Sequence, residues 1–351
     1  MIRSSALVCV ALVATACGSA TATAPHGFLH GQVGIIVNST GRALTMFQLA
    51  SPTTTQTLSL GSSNAVTPVD ASVRGTLALV PLGDAASAAL VDLTQPKVTR
   101  FFLYPSGFAT GSAFVDDTTI LIDNTGNGTI GRVTVHQASD SISDTVVVPP
   151  MPSAIVVSGS RAYVISANED ANFTPLGDGL LTVVDLGTMH VLGGLTLGGT
   201  NSTAGAIAPN GKIYVLNTGD FVNPGSMSVV DPASLTVLQT IPLFVGPGAI
   251  SIDAHGLAYI SSFGSGTIVY NTQTGSFVRG PNNPLCAPLP NNGGCRGAFD
   301  AEADVHGNVY QTFFGSTNLP GQVFVYAAST YALTDSIPGG VGPTALRIAS
   351  F

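Results

Sequence analysis

Lys212–Asn217 reads KIYVLN, Met227–Ser234 reads MSVVDPAS, Leu235–Leu243 reads LTVLQTIPL and Gly246–Gly256 reads GPGAISIDAHG. These are four short β-prone runs within about 45 residues, each closed by Gly, Pro, Asn, Asp or Ser. The position of Tyr214 in this unit recurs at Ile35, Ala78, Leu121, Tyr163, Tyr259 and Tyr310, at intervals of 42 to 51 residues. No helical periodicity of useful length follows residue 31.

A four-strand unit repeated seven times at this period predicts an all-β chain, a seven-bladed β-propeller of four-stranded blades. With strands lettered A to D from the axis outward, the chain enters on strand B (Val33–Asn38) and ends on strand A (Thr344–Ser350). The N-terminal B, C and D strands lack an inner partner, and the last segment lacks outer ones. Pairing them closes the ring and leaves no open sheet edge at the seam.

Composition narrows the function classes. Of 351 residues 45% are apolar, ample for a core, and only 9% are charged, so Ser, Thr, Asn and Gly must cover much of the surface. The net charge is −8 with no basic cluster, which argues against nucleic-acid binding. There is no Trp and no CxxCH, so covalent haem is excluded and a quinone or haem redox role has no support.

Residues 1–16 read as a signal peptide: Arg3, the apolar run Ala6–Val13, then small residues before Cys17. The run is too short for a permanent membrane span. Ala14-Thr15-Ala16-Cys17 resembles the bacterial lipoprotein cleavage box, with Ala where Leu is usual at the first position. That resemblance implies lipidation of Cys17 and a cell-envelope location, at the outer membrane or cell surface, with the lipid as the only membrane contact. A conventional signal peptide and a periplasmic or secreted protein is the other reading. Residues 17–31 then serve as a flexible tether and 32–351 as the propeller domain. Cys286 and Cys295 share a Pro/Asn/Gly loop, and in an exported chain they are expected to form a disulfide; a metal pair would need further Cys or His ligands nearby.

Ile213–Asn217, Ser228–Leu243 and Gly246-Pro247 resemble the YVTN β-propeller repeat family. The resemblance spans Gly31 to Phe351 and is strongest from Arg161 to Ala254. It implies a propeller in an extracytoplasmic or surface setting, and no single activity.

Most recurrent polar residues have turn roles. Asp92, Asp185 and Asp231 each end a C strand and are expected to cap the following turn. His255 and His306 share one A–B turn position, each before Gly. No His has a ligand-like neighbour in sequence, which argues against a His-based metal centre or a Ser/His/Asp triad.

Insertions fall unevenly. Asn168–Gly179, Asn217–Gly225 and Gly315–Gly321 lengthen B–C loops, and Gly198–Gly205 and Gly280–Arg296 lengthen D–A connections. All five lie on one face between blades IV and VII, while turns on the other face stay short. Length concentrated on one face marks that face as functional.

Counting by repeat position also places Asp70, Ala113, Ile155, Ala206, Ser251, Glu302 and Arg347 in one axial ring. Arg347 is then flanked by Asp70 and Glu302, with Asp300 on the face of Glu302. An ion cluster registering the seam is one reading; a ligand site using Asp70, Asp300, Glu302 and Arg347 is the other. Asp300, Glu302 and Asp304 could hold a cation, and so could Glu169, Asp170 and Asp178 in the loop NEDANFTPLGDG, where Ca²⁺ suits the oxygen ligands.

The leading expectation is a non-enzymatic, monomeric envelope lipoprotein without a cofactor, binding a protein, glycan or small ligand on its long-loop face. The alternative is a metal-dependent, lactonase-like hydrolase or lyase with a cation at the channel mouth.

Overall fold

A computed structural model describes residues 29–289, 294–316 and 320–351. The described residues form seven antiparallel four-stranded sheets arranged as a β-propeller. Blades II to VII each take four consecutive strands; in blade VI these are Pro247–Ile252, Leu257–Ser262, Gly266–Asn271 and Ser276–Arg279. Blade I joins Gln32–Asn38, Ala43–Gln48 and Thr55–Ser59 to the C-terminal strand Pro343–Ser350. The three-plus-one closure expected from the sequence is therefore present. Ile35 lies opposite Arg347, and Gly31 and Phe351 exchange backbone hydrogen bonds of 2.7 and 3.1 Å. Leu29 is buried against the same sheet region, so the chain is held from there onward.

The B strands are apolar at consecutive positions because a blade is covered on both faces by its neighbours. In blade I, Val33, Ile35 and Val37 pack on blade II, while Ile36 packs with Tyr310 and Val323 of blade VII. Each such side chain contributes roughly 1.5–3 kcal/mol by leaving water. Polar residues at the last B-strand position tie the sheet to the end of the preceding D strand or to the connection that follows it. Asn124 Nδ2 donates to Ser106 O (2.9 Å), Ser166 Oγ to Pro149 O (3.2 Å) and Ser262 Oγ to Val245 O (2.7 Å). The inner ends of the A strands are thereby fixed where they face the axis.

The C–D turns use Asp as expected. Asp92 Oδ1 accepts from Thr94 N, Asp185 Oδ1 from Thr188 N and Asp231 Oδ1 from Ala233 N. At the A–B turns the capping group is an Asp two residues before each His: Asp253 Oδ1 accepts from His255 N and Asp304 Oδ1 from His306 N.

Three expectations about connections need correction. The D–A connection expected over Gly198–Gly205 is short, because strand D runs to Thr196 and strand A begins at Ser202. Long connections on the same face also occur at 60–71 and 104–111, so the elaboration is not confined to blades IV to VII. The opposite face carries one long turn, 135–143. It folds over the outer edge of blade II, where Leu103 N donates to Asp140 O and Ile142 N to Leu103 O, both at 2.9 Å. Covering an edge strand explains its length.

Candidate functional site

The D–A and B–C loops surround a central cavity of about 700 Å³ at one end of the axis. Its lining combines a larger apolar surface with charged, hydroxyl and amide side chains. A charged cluster centres on Arg347 of the closing strand. The Arg347 guanidinium contacts Asp300 (Nη1 to Oδ2, 2.5 Å) and Asp70, and its Nε donates to Ala71 O at 2.8 Å. One side chain so links blade VII, blade I and the entry to blade II. Burial acts against its charge, but Asp70, Asp300 and Glu302 outweigh that and hold the guanidinium firmly protonated. Asp300 is 1% exposed and fully committed: Oδ2 also accepts from Leu346 N (3.0 Å) and Oδ1 from Ala301 N (2.8 Å).

Asp70 and Arg347 thus meet, as the sequence suggested, but the ring register and the second partner differ. The residues opposite Ala78 and Tyr163 are Val73 and Val156, so Asp70 and Ile155 fall outside the ring as counted. Asp70 reaches Arg347 from the connection before strand A, with Oδ1 held by Ala71 N at 2.7 Å. Asp300, not Glu302, is the direct partner, because it stands at the mouth of strand A, level with Leu346. Glu302 lines the cavity close by, and its Oε2 is buried without a hydrogen-bond partner. Burial pushes its carboxyl up to about 8.

The other carboxylate candidates separate. Asp304 turns to the far face, where it also accepts from Asn308 N and Nδ2, at 2.8 and 2.9 Å. It is a turn cap and no neighbour of Asp300. Asp170 Oδ1 is occupied by Asn172 N and Thr174 N of its own loop. Asp178 contributes its backbone carbonyl, which accepts from Asn168 Nδ2 at 2.9 Å. Of that loop's carboxylates Glu169 alone lines the cavity, at 6% exposure, with its carboxyl held up by burial and by Asp170. Among the described residues no three His, Cys, Asp or Glu side chains converge as a metal site.

Cys286 and Cys295 form the expected disulfide. The connection bearing it is no free appendage. Leu285 and Ala287 are buried, and Leu285 pairs through its backbone with Thr267 at 2.6 and 3.1 Å. Residues 290–293 of that loop, 317–319 of the Gly315–Gly321 loop, and the leader with Cys17 lie outside the described residues.

Two features escaped the sequence reading. Asp123 at the end of a B strand is fully buried, accepting from Thr110 N (2.8 Å) and Gly111 N (2.7 Å), while burial pushes its carboxyl up to about 7. It holds the end of the connection into strand A of blade III, where Thr110 and Gly111 line the cavity. The second feature is an aromatic row. Phe221, Phe263, Phe299 and Phe314 follow one another with ring centroids 6.1, 4.7 and 4.9 Å apart, and Phe173 stands 63% exposed on the neighbouring B–C loop. The available signal was a Phe in each consecutive B–C loop of blades IV to VII, at 173, 221, 263 and 314.

No protein-family model and no curated protein matches the chain. Among solved structures it is similar to hydrazine synthase of Kuenenia stuttgartiensis, at 15% identity and TM-score 0.64, over 81% of this chain and 90% of that one. It is also similar to a functionally unknown protein from Desulfotomaculum acetoxidans DSM 771, at 14% identity and TM-score 0.69, over 91% and 99%. At these identities the likeness is one of fold.

Proposed function

We propose that this chain is an exported lipoprotein of the YVTN-propeller kind, which binds a small ligand in its central cavity without transforming it. The observation that carries the reading is the cavity itself. Its volume suits a small molecule, and its walls combine apolar surface with a few convergent polar groups. The leader 1–16 with Cys17 and the Cys286–Cys295 disulfide are consistent with an extracytoplasmic setting. A protein or glycan partner is less well served, because the charged groups Asp70, Asp300, Glu302 and Arg347 converge inside the cavity. The metal-dependent hydrolase reading loses its ligand set: Asp300 is spent on Arg347 and backbone donors, and Asp170 and Asp304 cap their own turns.

A thermal-shift screen against a small-molecule library tests the proposal, with Ala249→Trp as the blocked control, since Ala249 lines the cavity. Compounds that raise the melting midpoint of the parent should fail to do so in the folded variant. Hits that stabilise both proteins equally would place binding elsewhere.

A further inference from the structure

The cavity has a charge imbalance that specifies its ligand. Among the described lining residues the charged side chains are Asp70, Glu169, Asp300, Glu302 and Arg347. Arg347 is consumed by Asp70 and Asp300. Glu169 is left without a counter-charge of its own, and burial keeps Glu302 protonated up to about pH 8.

Glu169 is the more telling of the two. It is 94% buried by its 6% exposure, it lines the cavity, and no described residue donates a hydrogen bond to its carboxyl or forms an ion pair with it. With no protein donor, the Glu169 carboxyl opens into the cavity, where a polar ligand group can complete it. The loop around it is built to hold it there. Asn168 takes a left-handed backbone (φ 58°), Leu176 N closes back on Asn168 O at 2.8 Å, and Asp170 N pairs with Thr174 O at 2.9 Å. The turn uses Asp170 for its own hydrogen bonds and leaves Glu169 pointing at the cavity.

Part of the lining is aromatic. Phe108, Phe173, Phe263 and Phe299 line the same space. A π-face attracts a cation, most strongly where water is excluded. Glu169, with the two carboxylates Asp70 and Asp300 sharing one guanidinium, disfavours anions, and the aromatic side chains offer a bare metal ion no oxygen ligands.

We propose that the cavity recognises a small organic cation, an ammonium group carried on an apolar or aromatic body, with Glu169 as its counter-charge and the Phe rings as its walls. This rests on the reading of the cavity as a small-ligand site. The ammonium would lie against the Glu169 carboxylate, and the hydrocarbon part would cover Phe263 and Phe299.

Three probes of one shape separate the possibilities by titration calorimetry: phenethylammonium, neutral 2-phenylethanol and anionic 3-phenylpropionate. The expected order is ammonium first, alcohol weaker and carboxylate undetectable. Added salt should weaken the ammonium alone. Glu169→Gln keeps the shape and removes the charge, and should cost the ammonium about tenfold or more in affinity while leaving the alcohol unchanged. Equal or tighter binding of the alcohol or the carboxylate, still blocked by Ala249→Trp, would overturn the cation assignment and leave the cavity reading standing. Unchanged ammonium affinity in Glu169→Gln would do the same. No binding of any probe at millimolar concentration would overturn both.

Discussion

The Nη1 of Arg347 lies 2.5 Å from Oδ2 of Asp300, and through that contact the last strand of the chain is locked to the blade before it. Asp70 takes the other arm of the guanidinium, so the ring is sealed by charge as well as by strand pairing. Arg347→Met leaves Asp300 buried and unpaired, which is expected to cost roughly 3–5 kcal/mol. Denaturant unfolding measures this directly. The double variant Asp300→Asn with Arg347→Met should recover part of the loss, since the stranded charge is then gone.

Glu302 sets a pH dependence with a definite sign. Burial raises its carboxyl from an ordinary 4.5 to about 8, with Arg347 opposing and Asp300 and Asp70 adding to the rise. The folded protein keeps a proton that the unfolded chain gives up. Its contribution is complete below about pH 4.5 and is lost as pH climbs through about 8. Glu302→Gln mimics the protonated form. It should match the parent in stability at pH 4.5 and exceed it increasingly toward pH 9, as read from denaturation midpoints at both values.

Removing the Cys286–Cys295 link with a pair of Ser substitutions should lower stability by roughly 2–3 kcal/mol, from the entropy regained by a short loop in the unfolded chain. Leu285 and Ala287 remain available to pack, so the variant is expected to fold. A reducing agent should shift the melting midpoint of the parent to that of the variant and leave the variant unmoved.

Cys17 is expected to carry the lipid. Cys17→Ser should move the protein from the detergent-extracted membrane fraction to the soluble extract of the expressing cells, and abolish incorporation of labelled palmitate. Membrane retention without label in the variant would remove the anchor from the account.

Much of this architecture could be read in the residues, and the reasons are physical. Short apolar runs closed by turn formers at Tyr214, Tyr259 and Tyr310 repeat locally, so neither long-range packing nor charge was needed to recognise a blade. Closure followed from counting strands at the two ends. The charged cluster of the cavity was legible only in part. Counting by repeat brought Asp70 to Arg347 although the true ring position there is Val73, three residues later, and the choice between Asp300 and Glu302 depends on the depth at which strand A begins, which sequence does not carry. Asp304 looked like a third carboxylate of one cluster, yet two residues along a strand carry it to the turn on the far face, where it caps His306 N. Glu169 stood among five other polar residues of its loop. Only the fold shows that Asp170 is spent on the turn while Glu169 faces inward.

The central claim is that the working site is the cavity ringed by the long loops. A crystal structure of the protein with whichever screened compound raises its melting midpoint most tests it directly. The account predicts density for that compound between Glu169 and the rings of Phe263 and Phe299. Density at the opposite end of the axis, among the turns of His255 and His306, would contradict it.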